Sequence, residues 1–266
     1  MQEWPIRGAE PGAWLAQIER IARDAGALIL EVYATDFAVR GKGDQSPVTE
    51  ADERAEALIV PALRAFAPEL PIVAEEAVAG GDVPEPGRTF WLVDPLDGTK
   101  EFIGRNGEFT VNIALVHDGE PVLGVVYAPA LGRLFAGARG AGAWLEDAAG
   151  RRAIRCRAVP DAGLTVVASR SHGDAAALDA FLAGRRVAAL ASAGSSLKLC
   201  LVAAGEADLY PRLGRTMEWD IAAGHAVLAA AGGAVRDLAG QPLRYGKPGF
   251  DNPHFAASSA GADTSS

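Results

Sequence analysis

The sequence predicts an α+β fold in which helices are layered on sheets. Three observations predict it: two early stretches with helical spacing, a middle dominated by apolar and β-branched runs, and a second half in which strand and helix patterns alternate. The length of 266 residues suits one large domain or two closely packed lobes.

Trp14, Ile18, Ile21, Ala25, Leu28 and Ile29 mark the first helix, with Glu10-Pro11 as its start. Ala51, Ala55, Leu58, Ile59, Ala62, Leu63 and Phe66 form one stripe behind Ser46-Pro47-Val48-Thr49, so Thr49 reads as a loop entering a second helix whose first turn holds Asp52. From Pro71 the pattern becomes strand-like: 71–74 runs into Glu75-Glu76, and 89–93 runs into Asp94. The runs 109–117 and 121–127, separated by Asp118-Gly119-Glu120, read as a hairpin that 134–145 extends. Beyond a soft lobe boundary near 147–160 come strand 164–168, helix 174–182, strand 187–191, helix 195–204 and strand 207–210. Asp220 opens an Ala-rich helix to Ala231 that Gly232-Gly233 stops, and 234–238 with 242–245 suggests a final hairpin. The expected organisation is a first lobe over 1–150, a second over 151–256, and a disordered tail over 257–266, a stretch of small residues with little to bury.

Composition narrows the function. Lysine and arginine number 25 against 34 acids, and the net charge of −9 argues against nucleic acid as a partner. A small phosphorylated substrate stays open, because bound divalent cations reverse the field locally. Cys156 and Cys200 fit no zinc spacing and read as free buried thiols, and the four histidines show no ligand spacing. No basic segment followed by an apolar run opens the chain, and 221–235 is too short and polar to span a bilayer. The reducing cytoplasm is the default compartment, with peripheral attachment to the inner membrane surface left open.

The stretch Leu92-Val93-Asp94-Pro95-Leu96-Asp97-Gly98-Thr99 carries the most chemistry. Two carboxylates at the end of a buried apolar run cost several kcal/mol each unless compensated, so a cation belongs nearby. Hard carboxylate oxygens select magnesium, manganese or calcium over zinc. Pro95 restrains the backbone between the acids, Gly98 permits close approach of a ligand, the Leu96 carbonyl offers another oxygen, and Thr99 adds a hydroxyl. The same residues also suit a turn that merely ends a strand.

With upstream Glu75-Glu76 and downstream Trp219-Asp220, this motif resembles the signature set of the lithium-sensitive, magnesium-dependent phosphatases that include inositol monophosphatase, fructose-1,6-bisphosphatase and 3'(2'),5'-bisphosphate nucleotidase. The three motifs stand in that family's order, and the resemblance extends from the first helix to about Phe255. Lys100-Glu101-Phe102, where inositol monophosphatases usually carry Thr-Asn-Phe or Ser-Asn-Phe, is similar to the bacterial CysQ branch, as are 105–112, 169–172, 194–198 and 209–212.

The resemblance implies a layered αβαβα sandwich with the active site between the lobes. It implies two or three Mg2+ ions: one on Glu75, Asp94 and the Leu96 carbonyl, a second on Asp94, Asp97 and Asp220, and a weaker third touching Glu75. Asp52 and Thr99 are implied to position the attacking water, making Asp52, Glu75 and Thr99 the catalytic set. His172, Ser195, Lys198 and Arg212 are the implied contacts to the substrate, beside Gly98, Thr99 and the metal ligands. Read without the resemblance, His172 is an ordinary loop histidine and Ser195 a helix cap, and the choice between Ser195 and Ser196 stays open. Gly137 to Gly142 reads as a turn, Glu76 as a supporting or surface acid, His225 as a packed core histidine, and Trp219 as a packing anchor for Asp220. The implied function is hydrolysis of adenosine 3',5'-bisphosphate to AMP and phosphate, in sulfur assimilation. An inositol or sugar monophosphatase and a non-catalytic nucleotide or metal sensor are the rivals. Either a monomer or a homodimer fits.

Overall fold

The computed structural model describes residues 4–41, 47–169 and 175–259. Helix α1 (Pro11–Tyr33) buries Leu15, Ile18, Ala22, Ala25, Ile29 and Val32 along one stripe. Pro11 sits in its first turn, where the missing N–H has no partner to lose. A short antiparallel pair, β1 (Val39–Gly41) and β2 (Pro47–Thr49), leads into α2 (Glu50–Phe66). The entry is a capping box: Ala51 N donates to the Thr49 hydroxyl at 3.2 Å, and Thr49 N donates to Asp52 Oδ2 at 2.8 Å.

Next come β3 (Ile72–Ala74), the single-turn α3 (Glu75–Ala79), β4 (Thr89–Asp97) and the short α4 (Thr99–Ile103). Strands β5 (Thr110–His117), β6 (Glu120–Ala128), β7 (Arg133–Ala138), β8 (Gly142–Asp147) and β9 (Gly150–Ile154) follow as a meander. Strands β3 to β9 form one seven-stranded sheet in sequence order, with only β3 and β4 parallel. Both faces of this sheet are covered, which is why β4 reads as a continuous apolar run. Trp91 and Val93 pack under α1 and α2, while Phe90 and Leu92 belong to the core on the opposite face.

The remainder alternates. Strand β10 (Leu164–Ser169), α5 (Ala175–Leu182), β11 (Val187–Ala193), α6 (Leu197–Ala203), β12 (Leu209–Arg212), α7 (Glu218–Ala230), β13 (Ala234–Asp237) and β14 (Phe255–Ser258) build a five-stranded sheet ordered β11-β10-β12-β14-β13. Helices α6 and α7 lie between the two sheets and share one core with both, and Phe181 and Leu182 of α5 cover the outer face of the second sheet. The layers therefore run αβαβα, as expected. The change of sheet falls between Ile154 and Leu164, yet the core is common to both halves.

Three expectations need correction. The final hairpin is shorter than expected: Pro242 makes one antiparallel bridge to Arg236 and Leu243 N donates to the Val235 carbonyl at 3.1 Å, on the edge of β13 that β14 does not occupy. Segment 245–247 is drawn onto α7 by side-chain hydrogen bonds, so pairing with β13 does not continue beyond Leu243. The disordered tail does not begin at 257, because Ala257, Ser258 and Ser259 are buried at the end of β14; residues from 260 onward lie outside the described residues. Finally, β4 does not stop before the acids but runs through Asp97.

Candidate active site

The continuation of β4 places the two aspartates. Asp94 pairs with Asn112 of β5 and Asp97 with Thr110, so three steps along β4 oppose two along β5. This irregularity between Asp94 and Asp97 acts as a bulge of one residue, and it changes the parity of the strand. Asn112 and Thr110 are two apart and share a face of the sheet, so their partners Asp94 and Asp97 do too. Without the bulge, Asp97 would point to the α1 side with Val93.

Glu75 enters from the neighbouring parallel strand. Ala74 is in register with Val93, so the next residue lies beside Asp94. Strand β3 becomes α3 there because Glu56 of α2 receives the first amides of the new turn, Glu76 N and Ala77 N, both at 2.8 Å. Asp220 comes from the first turn of α7, where its Oδ2 accepts from Met217 N at 2.9 Å. The outcome is convergence: oxygen atoms of Glu75, Asp94 and Asp220 lie within 4.8 Å of one another.

All three acids line a cavity of about 320 Å³ together with Leu96, Asp97, Gly98 and Thr99. Asp94 is buried and accepts from Leu96 N at 3.0 Å. Enclosure, with further contributions from Glu101 and Glu75, pushes the Asp97 carboxyl up to about 6, although Lys198 pulls it down. Burial and then the charges of Asp97 and Glu75 hold Asp220 well above the carboxylate range. An all-oxygen donor set crowded enough to resist ionisation fits a hard divalent cation, whose charge would remove the repulsion.

Thr99 begins α4 immediately after Gly98, whose φ of 89° makes the left-handed turn from strand to helix. A Cβ at Gly98 would sit 3.2 Å from the Glu108 carbonyl oxygen. The Thr99 hydroxyl donates to Asp52 Oδ1 at 3.3 Å, with the Leu96 carbonyl 3.5 Å away. Asp52 is fixed by Thr49, whose amide and hydroxyl donate to its other oxygen at 2.8 and 2.7 Å.

The cavity also holds cationic side chains. Lys198, Arg212 and Arg215 line the same cavity, beside Ser195 and Tyr210. Arg212 donates from Nη2 to the Arg215 carbonyl at 2.8 Å, while its Nε is buried without a partner among the described residues. Lys198 is buried; its ammonium donates to the carbonyls of Ser195 (2.6 Å) and Ala193 (3.2 Å), and burial lowers it to about 8 against the pull of Asp97. Lys198 thus braces the loop before α6 as well as lining the cavity.

That loop separates the two serines. Ser196 donates from its hydroxyl to Asn112 Oδ1 at 2.7 Å and lies 2.9 Å from the Thr110 hydroxyl, so it is engaged in a buried network behind Asp97. Asn112 Nδ2 in turn donates to Asp97 Oδ2 at 3.5 Å. Ser195 stands in the left-handed region at φ 45° and is not the helix cap; the residue before α6 is Ser196. His172 lies outside the described residues. The network residues Thr110 and Asn112, the bracket Glu56, and the cavity residues Arg215 and Thr216 were not singled out from sequence. Only the polarity of Thr110 and Asn112 inside an otherwise apolar strand could have signalled them.

The remaining readings resolve by packing. His225 is a core histidine sharing a 2.8 Å hydrogen bond with the Tyr245 hydroxyl, and burial pushes it down to about 3. Trp219 is buried against Phe250. Gly137 to Gly142 is the β7–β8 turn. Both cysteines are free, and burial raises the Cys156 thiol to about 11. No described helix is long and apolar enough to cross a membrane.

Comparison with known proteins agrees with this architecture. The profile of the inositol monophosphatase family matches residues 13–262. The 3'(2'),5'-bisphosphate nucleotidase CysQ of Escherichia coli (strain K12) is 49% identical over 248 residues, covering 92% of this chain and 99% of that protein. Its counterpart in Buchnera aphidicola is 41% identical over 249 residues, covering 92% and 93%. Among solved structures, CysQ from Bacteroides thetaiotaomicron superposes with a TM-score of 0.77 at 39% identity, over 94% of this chain and 97% of that one. The Thermotoga maritima IMPase gives 0.76 at 30% identity, over 92% of each chain. Likeness of this extent, over the full length of the relatives and on the same fold, means that the chain belongs to the inositol monophosphatase family of metal-dependent phosphate monoester hydrolases.

Proposed function

We propose that the chain is a magnesium-dependent 3'(2'),5'-bisphosphate nucleotidase that hydrolyses adenosine 3',5'-bisphosphate to AMP and phosphate, serving sulfur assimilation in the cytoplasm. The observation that carries this reading is one cavity lined both by the converging acids Glu75, Asp94 and Asp220 and by the cations Lys198, Arg212 and Arg215. A cavity that offers both kinds of group suits a substrate with two phosphates, one at the acids through bound cations and one at the arginines. The CysQ relatives bear the corresponding activity in their names.

Glu75, Asp94, Asp220, the neighbouring Asp97 and the Leu96 carbonyl are the groups that would hold Mg2+, two or three ions in all. When bound, the ions supply Lewis-acid polarisation of the phosphoryl oxygens. The protein's own part is positional. Thr99, with its hydroxyl proton directed to Asp52, presents a lone pair to an attacking water and aligns it. The water oxygen bonds to phosphorus as the P–O bond to the ribose breaks; the water's proton passes through the Thr99 hydroxyl towards Asp52, and the ribose oxygen takes a proton from solvent. Ser195, Lys198 and Arg212, with Gly98, line the substrate side, and the buried unpartnered Nε of Arg212 is a donor in need of an anion. His172 remains a proposed contact from sequence.

Phosphate release from adenosine 3',5'-bisphosphate, inositol 1-phosphate and sugar monophosphates, with and without Mg2+, tests the proposal. The bisphosphate is expected to be preferred, with activity abolished by chelation and inhibited by Li+. A strong preference for the inositol ester would replace this reading with an inositol monophosphatase.

A further inference from the structure

Glu218 and His225 lie seven residues apart on α7, two turns along, and so share one face of the helix. Both grip the same loop. Glu218 is fully buried and accepts from Gly246 N at 2.6 Å, from Lys247 N at 3.0 Å and from the Lys247 ammonium at 2.6 Å. His225 holds the Tyr245 hydroxyl. From Lys247 the connection continues: its ammonium donates to Asn252 Oδ1 at 3.2 Å, Asn252 Nδ2 donates to the Met217 carbonyl at 2.8 Å, and Met217 N donates to Asp220 Oδ2 at 2.9 Å. The chain of contacts closes on the carboxylate that faces Glu75 and Asp94.

At about 100° per residue, Asp220 stands roughly 200° round the helix from Glu218. The loop therefore pulls on one side of the α7 N-terminus while Asp220 points from the other. We infer that Glu218 is a positioning residue for the metal site: its ion pair with Lys247 and its two backbone amide contacts set the rotation of the first turn of α7, and so the aim of Asp220. Burying the Glu218 carboxylate against a half-buried lysine is a poor way to gain stability alone, since well-packed apolar residues do as well or better. It is suited to fixing direction, as groups behind metal ligands do. The inference rests on Asp220 being a metal ligand, as proposed above.

The test is calorimetric titration of Mg2+ alone into the wild-type protein, Glu218→Gln and the double variant Glu218→Gln/Lys247→Met, with urea denaturation of each in chelator. Glu218→Gln is expected to raise the Mg2+ dissociation constant about tenfold or more, and to shift half-activation by the same factor. The double variant, which leaves no buried charge unpaired, is expected to recover stability but not metal affinity. Loss of stability in Glu218→Gln with an unchanged dissociation constant would overturn the inference and make the pair purely structural. If Glu218→Gln fails to fold, the double variant decides: weakened binding supports the role, and wild-type binding overturns it. Failure of the wild-type protein itself to take up Mg2+ would instead overturn the metal reading, and this inference with it.

Discussion

Asp97 shows how the enclosure of a single carboxyl acts against stability. Its carboxyl titrates near 6 in the folded chain, against the ordinary value of 3.8, chiefly through enclosure. Between those values the folded state holds a proton that the unfolded state has released, so stability in chelator falls as pH rises through this window and the loss is complete above about 6. Asp97→Asn should therefore stabilise the metal-free protein by about 2 kcal/mol at pH 7, with little change at pH 4, measured by urea denaturation in chelator. The same variant should lower turnover on the order of 100-fold with its circular dichroism unchanged; full activity would remove Asp97 from the site. Thr99→Ala tests the neighbouring pair. Losing the hydroxyl that joins Asp52 to the cavity is expected to lower kcat by 10²-fold or more, with Mg2+ binding retained.

At the level of elements, the placement of α7 governs how closely the second half approaches the first sheet. Gly124 of β6 lets it do so: a Cβ there would lie 2.2 Å from the Ala223 carbonyl oxygen. Gly124→Ala must push the helix away from the sheet, costing about 1–3 kcal/mol. Because α7 also carries Asp220, a higher Mg2+ requirement should accompany the loss, which denaturation and activation curves would read separately. The segment joining the sheets is held by another pair. Arg157 donates from Nε and Nη2 to the buried Asp208, both at 2.8 Å, and Thr165 N donates to the same carboxylate at 2.7 Å. Asp208 is held below its ordinary value, with Arg157 and the Thr165 amide outweighing the burial that acts against them. That contribution is present above about pH 4 and is lost as pH falls through the depressed value. Asp208→Asn should cost about 3 kcal/mol at pH 7, and the gap to wild type should close on acidification.

For the whole molecule, the acids proposed to hold the cations come from three elements that only the folded chain brings together: α3, β4 and α7. Cation binding at these acids would therefore be linked to folding. Mg2+ at about 100 times its dissociation constant should stabilise the protein by about 2.7 kcal/mol per site, seen as a rise in melting temperature that chelation reverses. A melting temperature indifferent to both would count against a metal site here.

The sequence by itself determined the elements and the identity of the acids. Periodicity marked α1 and α2, continuous apolar runs marked the doubly covered strands, and the Asp-Pro-Leu-Asp-Gly-Thr run stood out because charges at the end of a buried strand require compensation. Those signals are local, so one sequence carries them. Tertiary structure alone decided the rest: that the bulge between Asp94 and Asp97 turns Asp97 to the face of Asp94, that Ser196 is tied into a buried network although both serines line the cavity, and that β14 takes the inner edge of β13 while 242–243 touches only its outer edge. Each of these depends on register or on a partner distant in the chain, such as Asn112 for Ser196. Local spacing carries no record of which distant strand or helix will lie opposite, and that choice is made by packing the two sheets around α6 and α7.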